Sequence, residues 1–122
     1  MTALRVMLVE DETLLALTFA EVLEDMGYDV CAVEATEAAA VKAADWLKPD
    51  FMIVDAGLGD GSGISAVDQI LRSGYIPHLF ISGDISGVYA RKPDAIVIQK
   101  PFRVAELARG IQCALRTAAG RH

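Results

Sequence analysis

The chain has 122 residues, 53% of them apolar, which is enough for one domain with a real core and too little for two. Its formal net charge of −6, with the eleven Lys and Arg scattered along the chain, argues against nucleic acid and favours a bound cation over a bound polyanion. The apolar opening "MTALRVMLV" is too short for a signal peptide, nothing is long enough to span a membrane, and Cys31 and Cys113 stand apart inside apolar runs with no CxxC, so buried reduced thiols in a cytoplasmic protein are predicted.

Short apolar runs alternate with longer helical patterns along the chain, and the alternation predicts five βα units. A strand at 4–9 leads into "EDE" and a helix at 12–26 that Gly27 stops. On that helix Leu15, Phe19, Val22 and Met26 form a core-facing stripe, which leaves Leu14, Ala16, Leu17 and Ala20 for a partner surface, a neighbouring helix or a dimer contact. A second strand at 28–33 precedes a helix at 36–47 that ends before Pro49 and carries Trp46 as a partly buried anchor. The third strand, "FMIV" at 51–54, is apolar throughout and is placed at the middle of the sheet. It runs into Asp55 and the glycine-rich "AGLGDGSG", then into a helix at 64–72 stopped by Gly74. The fourth strand covers 79–81, and His78 before it reads as a strand residue. In "GDISGVYARKPD" an internal Gly87 and the closing Pro93 predict a short, mobile fourth helix. The fifth strand, at 95–98, gives way to "KPF" and a helix at 103–117 with Arg103, Arg109 and Arg116 on its polar side; "AAGRH" at the end reads as frayed.

Consecutive parallel βα units close into a doubly wound α/β sheet, which binds its ligands beyond the carboxyl ends of its strands. Glu10, Asp11 and Glu12 stand at the end of the first strand, Asp55 at the third, Ser82 at the fourth and Lys100 at the fifth. Converging carboxylates repel by about 4 kcal/mol per pair at 4 Å and an effective dielectric near 20, so a compensating cation is expected. Mg²⁺ suits such an oxygen-rich site, with Asp11 and Asp55 as direct ligands, Glu10 acting through a water and the Gly57 carbonyl turned inward. Asp55 beside Mg²⁺, Lys100 and Ser82 also suits phosphoryl transfer. The carboxylate is the nucleophile and needs no base; Mg²⁺ and Lys100 neutralise the transferred oxygens, and Ser82 donates a hydrogen bond to one of them.

The acidic "VEDE", the aspartate ending the third strand, "FIS" ending the fourth and "KPF" ending the fifth occur in the order found in response-regulator receiver domains, which nearly the whole chain resembles. The resemblance implies a flavodoxin-like (βα)5 fold with strand order 2-1-3-4-5. It implies a phosphoacceptor of two-component signalling, phosphorylated on Asp55 by a histidine kinase or histidine phosphotransfer protein. It further implies that Ser82 moves to the acyl phosphate, that the face of the fourth helix, fifth strand and fifth helix then changes its downstream protein partner, and that the Lys100–Pro101 bond is cis. Beyond accepting and losing a phosphoryl group, no enzyme activity is expected, and no output domain, nucleic acid or membrane contact; the chain is expected as a monomer or weak dimer.

Four departures from the family pattern bear on these expectations. Val97 stands where an aromatic residue usually precedes the lysine by three positions, Gly59 replaces the usual proline after the phosphorylated aspartate, the fourth helix region is abbreviated, and the first acid of the pair is Glu10. A looser loop after Asp55, and signalling by ordering of residues 83–93, are predicted in place of aromatic switching. The alternative is a pseudo-receiver that binds proteins without phosphorylation. The glycine run reads GxGxGxG, lacks GxGxxG and follows the wrong strand for a dinucleotide site. "EDE" would repel the phosphate of a flavodoxin-type cofactor. An aspartate-nucleophile phosphatase lacks its general acid, since Gly57 occupies that position.

Overall fold

A computed structural model describes residues 3–59 and 61–120. The elements alternate strictly: β1 (Arg5–Val9), α1 (Thr13–Asp25), β2 (Asp29–Glu34), α2 (Glu37–Leu47), β3 (Phe51–Asp55), α3 (Gly63–Leu71), β4 (His78–Ser82), α4 (Ile85–Arg91), β5 (Val97–Gln99) and α5 (Val104–Ala119). The five strands pair in parallel in the order β2-β1-β3-β4-β5, the flavodoxin-like doubly wound order expected from the resemblance. β3 lies at the centre and all five of its residues are buried. The fifth strand is shorter than its apolar run because the Ala95 N–H is spent on a turn to the Lys92 carbonyl at 3.0 Å.

Alternation along each strand divides the core into two layers. Val6, Leu8, Phe51, Ile53, Leu79 and Ile81 pack with Phe19 and Leu23 of α1 and with Leu107 and Ile111 of α5. Met7, Val9, Met52, Val54 and Phe80 pack on the other face with Ala40, Val67 and Val88 of α2, α3 and α4. Continued past the strand ends, this period of two puts Glu10, Asp55 and Lys100 in phase with the α1–α5 layer and Ser82 in phase with the opposite layer.

Four side chains sit elsewhere than the sequence suggests. The inward line of α1 is Ala16, Phe19 and Leu23, with Leu15, Val22 and Met26 only half-buried. Ala16 therefore belongs to the core, while Leu14 and Leu17 remain exposed at 76% and 59%. Trp46 is 83% exposed and anchors nothing. The buried line of α2 is Ala40 and Ala44, and two residues further on a helix turns roughly 200° away from it. Cys113 is exposed beside the inward line Leu107, Ile111 and Ala114 of α5, and Cys31 is half-buried on edge strand β2; both thiols are free. The residues read as a frayed end belong to α5 as far as Ala119; Arg121 and His122 lie outside the described residues.

What joins the sheet to the loop above it is a glycine. At Gly63, the first residue of α3, a Cβ would lie 2.0 Å from the Asp55 carbonyl oxygen and 2.8 Å from Val54 Cγ1. Its N–H donates to the Ala56 carbonyl at 3.1 Å, so the start of α3 rests directly on the backbone of Asp55. Gly63→Ala should destabilise the domain by about 1–3 kcal/mol through overpacking. Urea unfolding measures this, and a loss under about 0.5 kcal/mol, the range of an ordinary surface change, would contradict the close contact.

Candidate functional site

Strand register assembles the site. Val9 pairs with Val54, so the next residues, Glu10 and Asp55, emerge side by side. Asp55 pairs with Ile81 and Ser82 with Gln99, which brings Ser82 and Lys100 to the same edge. The Lys100 N–H donates to the Ser82 carbonyl at 2.9 Å, fixing where the lysine leaves the sheet. The Lys100–Pro101 peptide that follows is cis, as expected.

Glu10 and Asp55 are buried, at 3% and 7% exposure, and Asp11 is exposed above them. Carboxylate oxygens of all three lie within 4.8 Å of one another. The Lys100 ammonium reaches over the cluster, donating to Asp55 Oδ2 at 2.8 Å and to Glu10 Oε1 at 3.5 Å. Asp55 Oδ1 accepts the N–H of Gly57 at 3.0 Å. Asp11 Oδ2 accepts the N–H of Gly59 at 2.7 Å. A proline at position 59 has no N–H to offer, so the departure from the family pattern supplies a hydrogen bond that the usual residue cannot make.

One ammonium among three carboxylates leaves a charge excess, and Glu10 absorbs it. Burial raises its carboxyl to about 7, with help from Asp55 and against the N–H that Glu12 donates to its Oε2 at 3.2 Å. Asp11 stays low because the Gly59 N–H holds its charged form. Burial works against the charge of Lys100, yet its hydrogen bond to Asp55 and the attraction of both buried carboxylates leave its pKa raised. The donor set is entirely oxygen, of the kind a hard divalent cation takes, and such a cation would offset both the burial and the neighbouring Asp55 that together raise the Glu10 carboxyl.

The predicted residues thus converge, with two distinctions. Glu12 stands apart: its side chain is exposed at the start of α1 and only its N–H serves the cluster. The Ser82 hydroxyl accepts the Asp84 N–H at 2.9 Å. Asp84 in turn caps α4, accepting the Gly87 N–H at 3.1 Å, and the end of α4 is tied to α3 by a Lys92–Asp68 ion pair. Sequence reading missed the Asp84 cap, although Asp three residues before Gly87 at a helix start was a legible signal for it. Val97 pairs with Phe80 and is half-buried against the layer that also holds Val88 of α4.

The family model of the response regulator receiver domain matches residues 6–112. The chain belongs to that family. Over 117 residues this receiver domain is 32% identical to the phyllosphere-induced regulator PhyR of Methylorubrum extorquens, covering 93% of this chain and 44% of that protein. It is also 32% identical over 117 residues to the KDP operon transcriptional regulatory protein KdpE of Escherichia coli, covering 91% and 51%. The chain spans about half the length of the curated relatives it matches. Among solved structures it superposes on the receiver domain of Erythrobacter litoralis PhyR with a TM-score of 0.85 and 27% identity, covering 93% of this chain and 91% of that one. The fold and the two-component signalling class are therefore those read from the sequence.

A raised carboxyl makes folding depend on pH with a definite sign. Between about 4.5 and about 7 folded Glu10 keeps a proton that the unfolded chain has lost, so its contribution to stability falls as pH rises. In EDTA, Glu10→Gln should match wild type near pH 5 and melt progressively higher than wild type toward pH 8. A difference in midpoint that stays constant across that window would refute the raised carboxyl.

Proposed function

We propose that this receiver domain is the phosphoacceptor of a two-component phosphorelay, taking a phosphoryl group onto Asp55 from a phosphohistidine donor with Mg²⁺. The observation that carries the reading is the Asp55 carboxylate, held at the end of the central strand with one oxygen on the Lys100 ammonium and two further carboxylates beside it. Asp11, Asp55 and the Gly57 carbonyl would hold the metal, with Glu10 acting through water. Bound Mg²⁺ supplies positive charge to the transferred oxygens.

Asp55 Oδ attacks phosphorus, an O–P bond forms, the P–N bond to the donor imidazole breaks, and the imidazole leaves with its electron pair and takes up a proton. No general base is required. Lys100 moves from the carboxylate to the incoming phosphoryl oxygens, where its charge is already in place. Ser82 gives up its bond with the Asp84 N–H to donate to the acyl phosphate. That exchange acts on the residue that caps α4, so ordering of residues 83–93 is the switch we assign in place of an aromatic one at Val97. The chain is a phosphoacceptor and no turnover enzyme: Gly57 offers no side chain to protonate an alcohol leaving group or to activate water against the acyl phosphate.

The donor, a histidine kinase or histidine phosphotransfer protein, docks on α1. Leu15, Phe19, Val22, Phe102, Val104 and Leu107 line a groove of about 480 Å³ that Lys100 borders, and Leu14 and Leu17 add exposed apolar surface. A downstream protein reads the α4–β5–α5 face, and Arg103, Arg109 and Arg116, exposed at the start and along the outer side of α5, would meet an acidic partner. Among the described residues no helix is long and apolar enough to cross a membrane, and a cytoplasmic monomer or weak dimer without nucleic acid fits the acidic chain.

Intact-protein mass after incubation with acetyl phosphate tests the reading. The expected result is a phosphoryl adduct that needs Mg²⁺, disappears with EDTA and is absent from Asp55→Asn, with slower amide exchange over residues 83–93 in the adduct. No adduct from either acetyl phosphate or a phosphorylated kinase would favour the pseudo-receiver, and an adduct without change in that exchange would overturn the α4 switch.

A further inference from the structure

Glu37, the first residue of α2, is used in a way that its position on that helix does not require. An acid in a first turn is commonly explained by the helix dipole. Here the carboxylate instead reaches across to the start of α3. Oε1 accepts the Ser62 N–H at 2.9 Å, and Oε2 accepts the Ser65 hydroxyl at 2.7 Å and the Gln69 amide at 2.5 Å. The bonds from Ser65 and Ser62 keep its carboxyl below the ordinary carboxylate range.

The backbone of the loop rests on the same side chain. Gly61 has φ +92, and a Cβ there would lie 2.7 Å from both Cβ and Oε1 of Glu37. Glycine is required twice over, by the dihedral and by the contact. At the near end of the loop the Gly59 N–H is held by Asp11, and at the far end Gly63 is seated on the Asp55 carbonyl. A segment with glycine at 57, 59, 61 and 63 has little stiffness of its own, and ordering such a chain costs about 1–2 kcal/mol per residue in backbone entropy. Besides Leu58, which is buried in the core, its order comes from one carboxylate after β1 and another at the start of α2.

We infer that Glu37 is a positioning residue for the metal site, clamping the loop after Asp55 so that Gly57 and Asp11 are ordered before the cation arrives. The inference rests on the metal-assisted reading proposed above. Partners behind the direct ligands of metal sites typically change affinity by about 10–100-fold when removed. Glu37 holds the loop at Ser62, three residues beyond the place where the family's proline would stiffen it.

Calorimetric titration of the whole chain with Mg²⁺, alongside amide exchange in the metal-free protein, tests the inference. Glu37→Ala should weaken Mg²⁺ binding about tenfold and speed exchange at Gly59 and Ser62, with the circular dichroism of the fold unchanged. Glu37→Gln can still accept from the Ser62 N–H and turn its amide toward Ser65, so it should recover most of the affinity. If Glu37→Ala does not fold, a Ser65→Ala, Gln69→Ala double variant decides, since it removes two of the three donors from the surface of α3 and should also weaken Mg²⁺. A folded Glu37→Ala that melts lower yet binds Mg²⁺ like wild type would overturn the clamp and leave the receiver reading intact. Wild-type protein that binds no Mg²⁺ would overturn the metal-assisted reading, and the clamp with it.

Discussion

The Lys100 ammonium against the Asp55 carboxylate, 2.8 Å apart at the mouth of a parallel sheet, is the contact on which the rest of the site depends. Without it, Asp55 and Glu10 would be two carboxylates held nearly out of water with no counter-charge of their own, an arrangement that costs several kcal/mol per ion in a protein interior. With it, the pair is tolerated but not neutralised. Glu10 keeps its proton up to about pH 7 chiefly because it is buried and further because Asp55 lies beside it, and the remaining negative charge of the cluster is what an incoming divalent cation would meet. The same lysine is placed by the sheet, through its N–H on the Ser82 carbonyl, so charge and hydroxyl arrive at the edge as a unit.

Two rigid bodies flank this edge and one soft segment crosses it. β3 is buried along its whole length, and α3 is pressed onto its last residue at Gly63. Between them the glycine-rich loop is anchored by Leu58, buried at 7% in the layer of α2, α3 and α4, and by the side chains of Asp11 and Glu37. Bulk beside Asp55 would crowd the approach to its oxygens, and at Gly61 and Gly63 there is no room for a Cβ. The loop is soft by composition and ordered by Leu58 in the core and by its neighbours.

Much of this was legible in the sequence because it rests on short-range pattern. Continuous apolar runs marked buried parallel strands, glycines and Pro49 marked helix ends, and the polar residue after each run marked the functional edge. Site residues at strand ends need only the topology to bring them together, so Glu10, Asp11, Asp55 and Lys100 converge as expected. What the sequence concealed depends on the angle at which a helix meets the sheet or on contacts far apart in the chain. Ala16 displaced a larger neighbour from the core because a small side chain lets α1 approach closely, and Trp46 points outward because the buried line of α2 is alanine. Glu37 contacts residues 25 to 32 positions away, and an acid at a helix start gave no sign of it. Ser82 was found by position, but its bond to Asp84, which links it to α4, comes from the tight turn after β4.

The central claim is that the carboxylate of Asp55 itself accepts the phosphoryl group, and borohydride trapping followed by peptide mapping tests it most directly, because hydride reduces an acyl phosphate to the alcohol. Protein treated with acetyl phosphate and Mg²⁺ should carry homoserine at position 55, and none should form without Mg²⁺. Homoserine at Asp11 or at another carboxylate, or a phosphoryl adduct that resists borohydride altogether, would contradict the account.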